Sequence, residues 1–390
     1  MPGELAPQRR RRFALLAAAL SVAVVFGGAE LLVRLVGRYH TPDTLRAHSL
    51  RYLPSIFGRH RLAPDQEVAA DDVWGTPGTS PARRVFRING QGYRGLALPA
   101  AKGPGEIRVV VLGGSSVFDL HATEGQDWPS LIADRLRHAG HRNVTVLNAG
   151  VPGHASFDSL ARLYAQIWTY APDFVLLYHG WNDLKYFTDV APGTPLIALY
   201  RPYDPAADPF QHYANPLDRL LCSSQLYVKA RTRYLMRRHR PGLEGAARGG
   251  PPRHGFDPQA LAQFRLLTAL LVDAAREAGA TPVLVTEATL LGPHNDEQDR
   301  ARVQYGYQRM DHDTLVRAAA AAADVIREVA RVKDAPLLDL AAMLNGRREL
   351  FADQVHTTAA GSAALADAVA SFLAPRLAAD AAAAPATADR

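Results

Sequence analysis

The feature that most constrains this chain is the alternation of short, wholly apolar runs with longer amphipathic ones. RVVVLGG (108–114), VTVLNAG (144–150), FVLLYHG (174–180), TPVLVTE (281–287) and APLLDL (335–340) are of strand length. Between them, WPSLIADRLRHAG, SFDSLARLYAQIWTY, ALAQFRLLTALLVDAAREAG and TLVRAAAAAADVIREVARV repeat with helical period, and a last such stretch runs from about Thr358 to Leu377. Strands that are apolar on both sides must be buried on both sides. Alternating with helices, they predict a parallel sheet covered by helices on each face. A hydrophobic content of 48% over 390 residues supplies ample core for it.

The N-terminus obeys a different rule. Arg9, Arg10, Arg11 and Arg12 precede an apolar run from Phe13 that continues past Glu30 to Val33. About 20 such residues at 1.5 Å each cross a bilayer. Residues 1–12 then form a basic cytoplasmic N-terminus and residues 13–33 a transmembrane anchor, with Glu30 at the far interface and Arg34 and Arg38 snorkelling into headgroups. The arginine cluster orients everything after the anchor outside the cytoplasmic membrane, periplasmic in a bacterium. A cleaved signal peptide is the competing reading; the segment lacks a persuasive small-x-small cleavage site and continues amphipathically as ELLVRLVGRY.

Residues 34–105 read as a linker and lead-in, in which RVFRINGQGYRG (84–95) forms a strand, an Asn-Gly turn and a glycine-rich loop. The α/β domain occupies 106–377. An insertion at about 186–255, with many prolines and the basic residues Lys229, Arg231, Arg233, Arg237, Arg238 and Arg240, forms a small cap or subdomain, partly helical around Ser223 to Arg238. Residues 378–390 are low in complexity and read as a disordered tail.

In open parallel sheets the binding crevice lies outside the carboxyl ends of the strands. Those ends carry Gly113-Gly114-Ser115-Ser116, then Asn148-Ala149-Gly150-Val151-Pro152-Gly153, then His179-Gly180-Trp181-Asn182-Asp183; Asp353-Gln354-Val355-His356 precedes the last helix. Taken singly, each has a bland reading: a tight turn, a strand exit, a helix cap, a surface histidine. The first is neither a P-loop nor a dinucleotide fingerprint nor the G-x-S-x-G elbow.

Together they make a nucleophile and its machinery. A serine hydroxyl needs a base, which His356 can be; the base needs an orienting carboxylate, which Asp353 can be. The charge that builds on a carbonyl oxygen needs preorganised donors, each worth about 10²–10³ in rate. The Ser115 N–H, the Gly153 N–H and the Asn182 side-chain amide come from three adjacent strand ends. His179 and Trp181 are candidates to line the substrate pocket, Trp181 by stacking on a sugar or an acyl chain; burial of His179 under the insertion and a packing role for Trp181 are equal alternatives. Asp183 and Asp339 are read as structural.

The set resembles the SGNH hydrolases, the GDSL esterase/lipase superfamily, over roughly Arg108 to Leu377, and NGQGYRG resembles a lead-in of membrane-anchored bacterial members. The resemblance rests on Ser115 in LGGSS, Gly153 in NAGVPG, Asn182 in GWND, and Asp353 with His356 in DQVH, all in the family's order. It implies a flavodoxin-like three-layer α/β/α sandwich with a five-stranded parallel sheet, and serine-dependent acyl hydrolysis or transfer without cofactor or metal. Ser115 aligns with the nucleophile, while Ser116 falls where the family varies. The chain departs from the family at Gly114, where an aspartate often stands.

The expected function is a membrane-anchored ester hydrolase acting on a lipid or an acylated polysaccharide. O-acyl transfer to, or O-deacetylation of, an envelope polysaccharide is the alternative, and a degenerate binding protein is the third. A net charge of +6 spread over this length is no argument for a nucleic-acid partner, and the single cysteine, Cys222, excludes an intramolecular disulfide and a cysteine metal site. Acyl chain length, natural alcohol and oligomeric state are not legible in the residues.

Overall fold

A computed structural model describes residues 7–36, 50, 52–55, 60–70, 84–187, 220–221, 223–231, 234 and 252–383. The chain divides into two units, one comprising Met1–Ala47 with Pro205–Leu243 and the other His48–Asp204 with Glu244–Arg390.

The second unit is built on the five strands that the apolar runs predict: β5 (Ile107–Gly113), β6 (Val144–Gly150), β7 (Phe174–His179), β8 (Thr281–Thr286) and β9 (Leu337–Leu338). All pair in parallel, in the spatial order β6-β5-β7-β8-β9. Numbered from the first parallel strand this is 2-1-3-4-5, the doubly wound order, whose switch point lies beside the first strand.

The period-2 geometry of β5 sends Val109 and Val111 to one face, where they join Ile132 and Leu136 of α3 (Trp128–His138) and Val369 and Leu373 of α8 (Ala359–Ala383). Val110 and Leu112 point the other way, into a cluster with Leu163 of α4 (Ser156–Ala165), Leu271 of α6 (Pro258–Glu277) and Ile326 of α7 (His312–Val332). The result is three layers. Each fully buried Val or Leu contributes roughly 1.5–3 kcal/mol by leaving water.

The segment expected to be a linker is, from residue 48 onward, part of this unit. β1 (Tyr52–Pro54) pairs antiparallel with β2 (His60–Leu62), and β3 (Gln66–Ala70) with β4 (Arg84–Ile88). Val68, Phe86 and Ile88 form a cluster with Phe118 and Leu120, which follow Ser115. The Arg94 backbone bridges Asn148 on β6 and so covers part of that edge. The apolar side of β3 and β4 is thus buried against the loop that follows Ser115. At the other end α8 runs to Ala383, past the expected start of a disordered tail at 378.

In the first unit, α1 (Pro7–Val36) is long and apolar enough to cross a membrane, with a candidate span at Arg9–Val36 and mean hydropathy 2.2; a signal sequence meets the same test. Within that unit the Glu30 carboxylate accepts hydrogen bonds from Ser224 Oγ at 2.8 Å and from the N–H groups of Gln225 and Leu226, each at 2.9 Å. These are the first residues of a helical stretch at 225–231, so Glu30 caps it. Arg34 pairs with Glu30 at 2.6 Å and donates to the Ser223 carbonyl at 2.9 Å. Arg233, Arg237, Arg238 and Arg240 of the insertion lie outside the described residues.

Candidate active site

β5 ends at Gly113, and the chain turns at Gly114 into the one-turn helix α2 (Ser115–Phe118). Both glycines are required by close approach. A Cβ on Gly113 would lie 2.3 Å from Val117 Cγ2 and 2.6 Å from the Tyr178 carbonyl oxygen. One on Gly114 would lie 2.5 Å from Asn182 Nδ2 and 2.9 Å from the His154 carbonyl oxygen. In this chain, then, the Asn182 amide and the His154 carbonyl leave no room for a side chain at the position where the family often has an aspartate.

Register brings the expected residues to one end of the sheet. Gly113 is opposite Gly150 on one side and Tyr178 on the other, so the serine turn, the turn containing Gly153 and the one-turn helix α5 (Trp181–Leu184) are neighbours. Gly153 has φ +85°, in the left-handed region that favours glycine.

Ser115 Oγ lies 2.7 Å from His356 Nε2, and His356 Nδ1 lies 2.6 Å from Asp353 Oδ2. A carboxylate accepts only, so Nδ1 carries the proton and Nε2 is left to accept from the serine hydroxyl. Asp353 Oδ1 also accepts the N–H groups of Val355 at 3.0 Å and His356 at 2.8 Å. Burial opposes the Asp353 charge, but His356 and these hydrogen bonds outweigh it and hold the carboxyl below its ordinary range. Burial likewise disfavours the His356 cation, yet Asp353, with smaller help from Glu287 and Asp119, lifts its pKa above the ordinary value. The arrangement can take a proton from a hydroxyl and hold it as imidazolium.

Asn182 donates Nδ2–H to the His154 carbonyl at 2.9 Å, and its Oδ1 accepts from the Tyr307 hydroxyl at 2.9 Å. The His154 carbonyl only accepts, so the end of the amide that faces it is the nitrogen. Tyr307 stacks parallel to Trp181, with ring centroids 6.2 Å apart. The His154 ring in turn lies 2.8 Å from the His60 carbonyl, and the His60 ring 3.0 Å from the Pro152 carbonyl, so β2 braces the turn that holds Gly153.

Trp181 is 5% exposed and packs in the core, the alternative that the sequence left open beside stacking. His179 is equally buried, with Nε2 unpartnered, and burial lowers its pKa to about 4, which makes it an interior neutral imidazole. Asp183 accepts from Ser156 Oγ at 2.6 Å and is structural as expected, with burial raising it to about 7. Asp339 caps a turn and pairs with Arg327 at 2.8 Å.

Several residues at the site were not singled out from the sequence. Asp119, raised to about 6 by burial, accepts from Thr357 Oγ1 at 3.0 Å and Ser362 Oγ at 2.6 Å, tying the serine loop to the histidine loop. Glu287 follows β8 and accepts from Ser116 Oγ at 2.6 Å; the strand-end rule that found the other residues also points to it. Arg94 is considered below. His121 places its ring 5.8 Å from that of His356, and with Asp353 and His356 it forms a group whose ligand atoms lie within 4.8 Å of one another. Such a group could hold a cation, but two of its members are already engaged with each other and with Ser115.

The family model of GDSL-like lipases and acylhydrolases matches residues 111–364. An arylesterase of Vibrio mimicus is 36% identical over 76 residues, 20% of this chain and 38% of that protein, so the chain spans well under two thirds of the relative it matches. Among solved structures, a lipase/acylhydrolase from Enterococcus faecalis superposes with TM-score 0.41 at 17% identity, covering 69% of this chain and 96% of that one. A catalytic mutant of an acetylxylan esterase from Geobacillus stearothermophilus gives 0.41 at 16% identity, covering 70% and 96%.

Proposed function

The chain belongs to the GDSL-like lipase/acylhydrolase family, and on that premise we propose that it is a serine-dependent carboxylic ester hydrolase, anchored by α1 and acting outside the cytoplasmic membrane. The observation that carries this reading is the run of two short contacts, 2.7 Å from Ser115 Oγ to His356 Nε2 and 2.6 Å from His356 Nδ1 to Asp353.

In this mechanism His356 takes the hydroxyl proton as Ser115 Oγ attacks the ester carbonyl, and Asp353 stabilises the imidazolium. The oxyanion is met by the Ser115 N–H, the Gly153 N–H and the Asn182 amide proton not given to His154. His356 returns its proton to the leaving alcohol. It then activates a water that attacks the acyl-serine, which breaks the acyl–Oγ bond and releases the acid.

Retention of the anchor is supported by the Glu30 clasp, since signal cleavage would remove the carboxylate that caps the helical stretch at 225–231. The outward orientation of the domain follows from the arginines at 9–12.

The test uses the full-length chain in detergent with short-chain aryl esters. Turnover that disappears in Ser115→Ala supports the reading; a wild type inactive across acyl lengths and unlabelled by a fluorophosphonate contradicts it. Product analysis with added oligosaccharide separates hydrolysis, which yields free acid, from acyl transfer, which yields acylated sugar.

A further inference from the structure

Glu287 is the first residue after β8, whose end lies beside that of β7 through the pair Thr286 and His179. Its carboxylate is half-buried and divided between two turns. Oε1 accepts from the Ser116 hydroxyl at 2.6 Å, and Oε2 accepts the Trp181 N–H. A Cβ on Gly180 would come 3.0 Å from Oε2, so glycine there leaves the carboxylate its place. Ser116 adjoins the nucleophile and Trp181 adjoins Asn182. Both are buried, at 6% and 5% exposure.

Drawing a carboxylate even partly out of water is costly unless its lone pairs are satisfied. This one spends them on the neighbours of the two groups whose spacing decides whether an attacking oxygen and an oxyanion donor address the same carbonyl. We propose that Glu287 is a positioning residue of the hydrolase, a single carboxylate that locks the Ser115 turn to the Asn182 turn. The inference rests on the ester-hydrolase reading.

The groups around Glu287 also give it an electrostatic signature. It faces His356, Tyr178 and Asp183. His356 in turn faces Asp353, Glu287 and Asp119, with the His121 ring alongside. Removing the Glu287 carboxylate withdraws one negative neighbour from the imidazolium.

The experiment compares wild type, Glu287→Gln, Glu287→Asp and Ser116→Ala as full-length chains, with kcat and KM for an aryl acetate measured across pH. A misplacement of the reacting groups by about 1 Å costs about 10²-fold in rate. Glu287→Gln is therefore expected to lose about that factor in kcat with KM little changed, and to move the acid limb of kcat/KM to lower pH. Glu287→Asp, too short to reach both partners, falls between. Ser116→Ala keeps the charge and cuts one tether, so kcat falls while the acid limb stays; this variant carries the test should Glu287→Gln not fold. An active wild type whose Glu287→Gln and Ser116→Ala variants both retain kcat and acid limb overturns the assignment alone. A wild type with no ester turnover and no fluorophosphonate labelling overturns the hydrolase reading and the assignment with it.

Discussion

The guanidinium of Arg94 reaches the carbonyl oxygen of Phe118 at 2.7 Å, so the end of the helix that begins at Ser115 is held by a side chain from upstream of the sheet. The same group donates to the carbonyls of Asp119 at 2.8 Å, Ala122 at 2.8 Å and Thr123 at 3.0 Å. It lies between the Phe86 and Phe118 rings, 5.0 Å from each, and faces Asp127 at 3.6 Å. A planar fork can do this; an ammonium cannot.

Replacing Arg94 by methionine leaves four carbonyls and a buried Asp127 without their cation. Breaking a buried pair of this kind costs about 3–5 kcal/mol. Denaturant unfolding of Arg94→Met should show a loss of that size, and Arg94→Lys should recover only part of it. A loss below about 1 kcal/mol would mean that the lead-in does not brace the serine loop.

Restoring the family's aspartate should harm this chain. In Gly114→Asp the new Cβ meets Asn182 Nδ2 at 2.5 Å and a backbone oxygen at 2.9 Å, and Asn182 has to give way. Losing one oxyanion donor costs about 10²–10³ in kcat, so steady-state kinetics should show a fall of that order. An increase in kcat would contradict the steric account.

The pH dependence follows from His356. Its pKa is raised above the ordinary value, and only the neutral ring can take the serine's proton. Activity is therefore lost as pH falls through the raised pKa. The acid limb of kcat/KM should lie above about 6.5, the ordinary histidine value, and Asp353→Asn should bring it down along with a large loss of rate. An acid limb below that value in the wild type would show that Asp353 does not stabilise the cation.

Stability should carry a signature of Asp183. Burial raises this carboxyl from an ordinary 3.8 to about 7, so the folded chain holds the proton more tightly than the unfolded one. Its contribution is fully present below the unfolded value and is lost as pH rises through about 7. Unfolding free energies measured between pH 4 and pH 8 should fall less steeply in Asp183→Asn than in wild type; parallel slopes would refute the burial argument.

Membrane association gives a separate check. The full-length chain should stay with membranes through alkaline extraction, and intact-mass analysis should find residues 9–12 still attached. A mature chain starting beyond Glu30 would replace the anchor with a signal peptide.

Much of this was legible because parallel-sheet proteins concentrate chemistry at strand ends, and apolar runs such as RVVVLGG mark those ends without ambiguity. Ser115 and Asn182 were read that way, and Asp353 with His356 from their place before the last helix. Glu287 stands at such an end too, in LVTE, but a lone carboxylate there has no partner until Ser116 and Trp181 fold onto it. For His179 and Trp181 the sequence could not choose between a pocket and a buried position, since a strand-end position does not say which way a side chain turns or that Tyr307 will stack on the indole. The role of Arg94 was hidden for the same reason: its four acceptors are backbone carbonyls 24 to 29 residues away, and carbonyls carry no sequence signal. The Glu30 clasp joins segments separated by about 195 residues.

The measurement that bears most directly on the central claim is peptide mapping of the full-length chain after treatment with a fluorophosphonate. The adduct is expected on Ser115, and it should be absent from His356→Ala, whose serine has lost its base. An adduct on Ser116, or a protein that hydrolyses esters with Ser115 replaced by alanine, would contradict the assignment of the nucleophile.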